Sequence, residues 1–174
     1  KQERTGHCKF FDSMPKLLEY LQFDSAVLTN LALITKIKGD GTKKHRLIWD
    51  LLRSEVNATV ALTERIVLPR IQDAVDDASD LLRQGQGDLE WLVLDIADAF
   101  HNIPMLPAER RFTCGKVGKT FIVFEVLCMG GKSSPNIWGR FAAVIGRILA
   151  SIFDPNEFRS EIYVDGPLMA VVGS

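Results

Sequence analysis

Cysteine is scarce and unpaired in this chain. Cys8, Cys114 and Cys128 are scattered, form no CxxC pair, and stand at no metal-ligand spacing from His7, His45 or His101. That argues against a zinc-binding framework or a disulfide scaffold and points to a reduced, intracellular protein with free thiols. Long apolar runs are missing too. The longest, Phe141 to Phe153, is interrupted by Arg147 and is too short to span a bilayer. No signal peptide is visible, since the chain opens Lys-Gln-Glu-Arg, so the expectation is no membrane and a cytoplasmic or nuclear location. An excess of one charge is also absent. The net charge of −1 lacks the basic footprint that usually announces a nucleic-acid binder.

What is present is ordinary globular composition. The chain has 174 residues, 47% hydrophobic and 25% charged, enough for one domain with a real core or for most of a larger one. It lacks an initiating Met and stops at Ser174 just after an apolar strand, which points to a piece of something longer. Charge is distributed unevenly. Lys36, Lys38, Lys43, Lys44 and Arg46 crowd one stretch against Asp40 alone, while Asp73, Asp76, Asp77 and Asp80 reverse the sign further on. Taken singly, each run is a solvated face.

Periodicity gives the elements. Residues 1–12 have none and form an N-terminal segment expected to be poorly anchored. Leu17, Leu18 and Leu21 predict a short helix from Met14 to Leu21, with Ser13 as N-cap and Pro15 in the first turn. Leu31 to Lys38, the turn Gly39-Asp40-Gly41 and Lys43 to Asp50 read as a β-hairpin with alternating basic and apolar side chains. After Pro69, the residues Ile71, Ala74, Val75, Ala78, Leu81 and Leu82 form a helical apolar stripe; the four aspartates face out, and Gly85 and Gly87 end the helix. Trp91 to Ile96 is a continuous apolar run suited to a strand covered on both faces. A strand pair around Gly118 follows. Residues 135–153 predict a long helix with Ile137, Phe141, Val144, Ile145, Ile148, Leu149 and Ile152 inward and Arg140 and Arg147 opposite. Ile162 to Val172 closes the chain as a hairpin with its tip at Asp165-Gly166-Pro167. The order predicts an α+β fold, an antiparallel sheet with helices on one face.

Two short stretches carry the chemistry. Leu94-Asp95-Ile96-Ala97-Asp98-Ala99-Phe100 and Ile162-Tyr163-Val164-Asp165-Gly166 each place an aspartate at the edge of an apolar strand. In-line phosphoryl transfer with two divalent ions needs carboxylates held on a rigid sheet in this way. Between them, Met129-Gly130-Gly131-Lys132-Ser133-Ser134-Pro135 leads into a helix N-terminus, where backbone N–H groups and a lysine charge make a seat for phosphate. It is not a Walker loop, because the first glycine is missing at the required spacing. Each motif alone also has a bland reading: a capped turn, a sound helix start, a tight Gly-Pro turn.

Together and in order, the motifs resemble the fingers and palm of reverse transcriptases from retroviruses and long-terminal-repeat retrotransposons. The resemblance runs from about residue 31 to 172. It takes in Asp95 to Phe112, with its Arg-Phe-Thr run, the Ser134, Pro135 and Trp138 pattern, Leu68-Pro69-Arg70-Ile71, and the Tyr-Val-Asp-Gly hairpin. It implies a polymerase palm plus partial fingers bearing the basic hairpin, with residues 13–90 fingers-like and leading into the palm, residues 91–174 palm, and no thumb. By position Asp95 and Asp165 resemble catalytic metal-binding carboxylates, joined by the backbone at Ile96, for two Mg²⁺ ions, with Mn²⁺ as a substitute. Arg46 resembles the fingers arginine that meets the triphosphate. Asp98 and Ala99 would lie under the nucleotide, Phe100 resembles the aromatic gate against a sugar 2′-hydroxyl, and Met129, Gly130 and Lys132 belong to the loop beside the incoming nucleotide. The implied partners are a nucleic-acid template-primer and a deoxynucleoside triphosphate, with a larger polyprotein as the context.

Three departures stand against the pattern. Met129 and Gly131 occupy positions where a glutamine and a tryptophan are usual, the segment from Asp50 to Asn57 is about two residues longer than the common spacing, and Gly166 replaces the second aspartate of the hairpin. Removing one of three carboxylates takes about a unit of negative charge from a site built for dications. The functional expectation is a reverse-transcriptase fragment for template-directed deoxynucleotidyl transfer to a primer 3′-hydroxyl, weak or impaired by Gly166. The alternative is a catalytically dead remnant with residual or no nucleic-acid binding. A plain α+β interaction domain would leave Asp95 and Asp165 far apart.

Overall fold

Nine strands and four α-helices make up the computed structural model, which describes residues 6–84 and 87–173. In chain order, the first elements are β1 (Cys8–Phe11), α1 (Met14–Leu21), β2 (Leu28–Thr29), β3 (Leu31–Ile37), β4 (Lys43–Trp49), α2 (Val56–Thr59) and α3 (Ile71–Gln84). Then come β5 (Asp88–Val93), β6 (Cys114–Val117), β7 (Thr120–Phe124), α4 (Ser134–Ile152), β8 (Phe158–Tyr163) and β9 (Gly166–Gly173). The fold is α+β. It divides into two units, one of the described residues up to Thr63 with Phe100–Ser134, the other of Glu64–Ala99 with the described residues from Pro135 on.

In the first unit the strand order is β1-β7-β6-β2, with β1 and β6 antiparallel to β7 and β2 parallel to β6. Alternation along β7 sends successive side chains to opposite faces. Val123 joins Leu17, Leu21 and Cys114 under α1, whereas Ile122 and Phe124 join Cys8, Trp49, Leu51, Val126 and Cys128. The Trp49 and Phe124 rings meet edge to face at 4.9 Å, an arrangement worth about 1 kcal/mol beyond its buried area. The expectation of a loose N-terminal segment fails for Cys8–Phe11. They pair with Phe124–Phe121, and Cys8 is buried; a four-residue strand is too short to show a period. Residues 1–5 lie outside the described residues. Ser13 occupies the N-cap of α1 in an extended conformation, but its hydroxyl makes no capping bond; its carbonyl instead accepts the Leu17 N–H at 3.2 Å.

In the second unit the order is β5-β9-β8, all antiparallel. Leu81 of α3 packs against Leu89, Ala170 and Val172, and Gly146 of α4 sits over Ile162. Three expectations are corrected here. First, β5 is an edge strand, and Trp91, Leu92, Val93 and Leu94 are exposed rather than covered on both faces. Second, only part of the predicted α3 stripe is buried, and on α4 the fully buried apolar residues are two outside the predicted stripe. Ala74, Ala78 and Leu81 go inward on α3 while Ile71 is 80% exposed; Trp138 and Ala142 go inward on α4 while Phe141, Val144, Ile148 and Ile152 are exposed. Third, the hairpin tip is Val164-Asp165, because Tyr163 pairs with Gly166 and Pro167 already belongs to β9. Gly85, proposed to end α3, lies outside the described residues. Among the described residues, no helix is long and apolar enough to cross a membrane.

Candidate functional site

The β5–β9 pairing runs on past the end of β5. Leu94 donates its N–H to Pro167 O at 2.9 Å, and Ile96 donates to Asp165 O at 2.8 Å. Pro167 has no N–H to return, so the regular ladder stops at Val93 although the two chains stay side by side. Asp95 therefore sits between two cross-strand bonds, directly opposite Gly166, at a position where the facing residues exchange no hydrogen bonds. Such residues project from the same face with Cβ atoms about 5 Å apart. The structure thus brings together Asp95, Ile96, Asp165 and Gly166, residues far apart in the chain. The two aspartates are therefore not remote in the fold, as a plain interaction domain with coincidental motifs was expected to leave them.

Both aspartates are exposed, and the turn that carries the second is under strain. Val164 has φ +57°, a left-handed conformation that costs a β-branched residue roughly 1–2 kcal/mol. It is held there from outside the hairpin. The Trp138 indole N–H donates to Val164 O at 2.6 Å, and Trp138 itself is buried. In the sequence Trp138 stands only as the aromatic of the Ser134, Pro135 and Trp138 pattern; its role as the anchor of the Val164-Asp165 turn carries no sequence signal. Asp98 also lies at positive φ, +52°, which an aspartate tolerates. It precedes a 3₁₀ turn, Ala99–Asn102, in which Ala99 is buried and Phe100 is half-buried. Asp98 and Ala99 belong to the second unit with the two aspartates, and Phe100 opens the returning segment of the first.

Arg46, Met129, Gly130 and Lys132 all lie in the first unit. Arg46 is exposed on β4, paired with Ile34 of β3. The loop before α4 is clamped. Asn57 donates from Nδ2 to Gly130 O and accepts from Lys132 N–H, both at 2.8 Å, and Lys132 Nζ donates to Val60 O at 2.9 Å. Met129 O accepts the Trp49 N–H at 3.4 Å. Gly130 has φ +109°, and a Cβ there would lie 2.4 Å from Trp49 O, so only glycine fits. The reading of this loop as an open phosphate seat needs correction. The N–H groups of Gly131, Lys132 and Ser134 already have acceptors in Cys128 O, Asn57 Oδ1 and Gly131 O. Asn57 is the functional-looking residue that sequence reasoning left without a role. Beside it a cavity of about 350 Å³ is lined by Asn57, Thr59, Val60, Phe112 and Lys132 among others.

Hard oxygen donors are the right chemistry for Mg²⁺ or Mn²⁺. Asp95, Asp165 and the Ile96 carbonyl would supply them. The set is short, however: among the described residues no group of three or more Asp, Glu, His or Cys side chains is placed to hold a metal ion. Two carboxylates suit one dication. They do not suit the pair that a two-ion mechanism requires.

No protein-family model matches the chain, and no curated protein does. Solved structures do. A foamy viral protease-reverse transcriptase in complex with double-stranded DNA superposes with a TM-score of 0.64 at 18% identity, over 99% of this chain and 24% of that one. The fold is reverse-transcriptase-like. The prototype foamy virus protease-reverse transcriptase, in a CSH mutant, gives a TM-score of 0.61 at 20% identity, over 99% of this chain and 18% of that one. The chain therefore spans about a quarter or less of these neighbours.

Proposed function

We propose that this chain is a fragment of a retrovirus-like reverse transcriptase, derived from machinery for template-directed deoxynucleotidyl transfer to a primer 3′-hydroxyl. The single observation that carries the reading is the backbone bond from the Ile96 N–H to Asp165 O, which sets the segment of Asp95, just past β5, beside the β8–β9 turn that carries Asp165, in a reverse-transcriptase-like fold. A divalent ion, when bound, would neutralise phosphate charge and favour the ionised form of an attacking hydroxyl. The chain's own contribution is to hold it with the carboxylates of Asp95 and Asp165 and the Ile96 carbonyl. The roles that the resemblance gives to Arg46, Asp98, Ala99, Phe100, Met129, Gly130 and Lys132 toward a deoxynucleoside triphosphate belong to the same proposal. So do the palm and fingers assignment and the origin in a larger polyprotein. The double-stranded DNA in the foamy viral complex supports a template-primer as the partner class.

A second reading is favoured by Gly166: an inactivated remnant that binds a nucleotide or nucleic acid without turnover. Primer extension with Mg²⁺ and with Mn²⁺ separates the two. The expected result is trace extension by the native chain that disappears in Asp95→Asn. Extension absent from the native chain but restored in Gly166→Asp identifies the remnant. Extension undiminished in Asp95→Asn overturns both.

A further inference from the structure

We propose that the free edge of β5 is a self-association surface, and that it pairs antiparallel with the same strand of a second copy to make one continuous sheet. Among the described residues β5 pairs on one side only, with β9. Its even-numbered residues make those bonds, as the continuation from Leu94 to Pro167 O and Ile96 to Asp165 O shows. In an antiparallel strand the residues between them turn their N–H and C=O groups the other way. Leu89, Trp91 and Val93 therefore present theirs along the open edge. That edge lacks the usual protection. Residues 88–93 hold no proline, no lysine and no bulge, the devices that keep open edges apart.

The side chains beside the edge are apolar and uncovered. Trp91 and Val93 are 46% and 70% exposed, on the face where Leu89 packs under α3, and Leu92 and Leu94 are half-exposed on the other. The helix extends the patch. Asp77 lies on the β8 side of α3, near Arg159 and Glu161. Ile71, Val75 and Leu82 occupy the opposite flank of the buried line Ala74, Ala78 and Leu81, toward β5, and all three are exposed. A contiguous apolar surface of this kind marks an interface.

The placement of charge selects the occupant. Asp88 and Glu90 are the only charges of the strand and stand at its first end. Beside a second β5 in parallel register each acid would face itself, which is destabilising. In the antiparallel arrangement centred on Trp91, the residues Leu89, Trp91 and Val93 of one copy exchange hydrogen bonds with Val93, Trp91 and Leu89 of the other. Glu90 then faces Leu92 and Asp88 faces Leu94. Every edge group finds a partner, no acid opposes an acid, and the exposed flanks of the two α3 helices border the join.

The test uses the 174-residue chain in a concentration series, with mass read by sedimentation velocity and amide protection by hydrogen exchange. The chain should pass reversibly from monomer to dimer. As it does, the amides of Leu89, Trp91 and Val93 should gain protection, whereas those of Glu90 and Leu92, already bonded to β9, should change little. Val93→Lys puts a charge at an exposed edge position and should raise the dissociation constant by about tenfold or more. Trp91→Thr keeps a strand-forming residue and should act in the same direction, and both variants should melt within a few degrees of the native chain. Ile148→Lys removes an exposed apolar side chain from α4 and should leave the dimer unchanged. A chain that stays monomeric at every concentration, or grows past a dimer, overturns the proposal. So does a dimer without added protection at Leu89, Trp91 and Val93. Equal loss of the dimer in Val93→Lys and Ile148→Lys would reveal unspecific apolar association and overturn it as well. Should Val93→Lys fail to fold, Trp91→Thr decides.

Discussion

Val164 and Gly118 occupy the same place in two-residue hairpins, with φ +57° and +59° respectively. Glycine meets that requirement at no steric cost, and valine does not. Val164→Gly should therefore stabilise the second unit by about 1 kcal/mol, the left-handed penalty less the added chain entropy; urea unfolding followed by tryptophan fluorescence would show it, and a lower midpoint would contradict it. The acidic residues on and under α3 give a second prediction at this scale. Burial raises the pKa of Asp77, with the nearby Arg159 pulling the other way, and burial followed by the charges of Asp77 and Asp73 raises that of Glu161. The sequence reading sent all four aspartates outward, but Asp77 is only half-exposed. A carboxyl whose folded pKa is raised stabilises the fold below its unfolded value and ceases to do so as pH rises through the folded one. Asp77→Asn should accordingly melt above the native chain at pH 7. The difference should shrink on acidification and vanish below the ordinary carboxylate range; a difference that grows on acidification would refute the assignment.

Among the elements, the loop before α4 and the strand β7 depend on polar groups that serve structure. Asn57 satisfies Gly130 O and Lys132 N–H at once, so Asn57→Ala should cost about 1 kcal/mol, the net worth of bonds whose exposed partners turn to water. Because Lys132 keeps its contact to Val60 O, the loop should loosen rather than unfold, seen as faster hydrogen exchange confined to it. Glu125 at the end of β7 is 14% exposed and pairs with Arg110 at 2.6 Å, while Arg110 also donates to Tyr20 Oη at 3.0 Å. Glu125→Ala should destabilise the first unit by about 3 kcal/mol, since it strands a partly buried guanidinium. A loss below 0.5 kcal/mol in urea would reduce the pair to a surface contact. The basic hairpin β3–β4 is the opposite case. Its distal half is exposed on both faces, Leu33, Ile34 and Ile37 included, so the alternation that predicted it reports strand geometry and not a buried face.

At the scale of the whole chain, every thiol lies in the first unit and is buried. Burial pushes Cys114 and Cys128 up to about 12, so they stay protonated and unreactive at neutral pH. A disulfide-exchange reagent should label none of Cys8, Cys114 and Cys128 until that unit opens, and the labelling rate in mild denaturant should follow its unfolding; rapid labelling of the native chain would contradict the burial. The sequence alone determined the identity and order of most elements, but not β1, β2 or α2. Met14 to Leu21, the β3–β4 hairpin and the helix after Pro69 could all be read from spacing, turn residues and proline placement, because those forces act within a few residues of one another. It also brought Asp95 and Asp165 under suspicion, through the strands that end in them. Only tertiary structure decided that β5 is an edge strand, that about half of each helical stripe stays uncovered, and that Gly166 faces Asp95 across the continued β5–β9 pairing. Those outcomes depend on strand register and on which surfaces meet. Both are set by segments far apart in the chain, whose pairing no local pattern encodes.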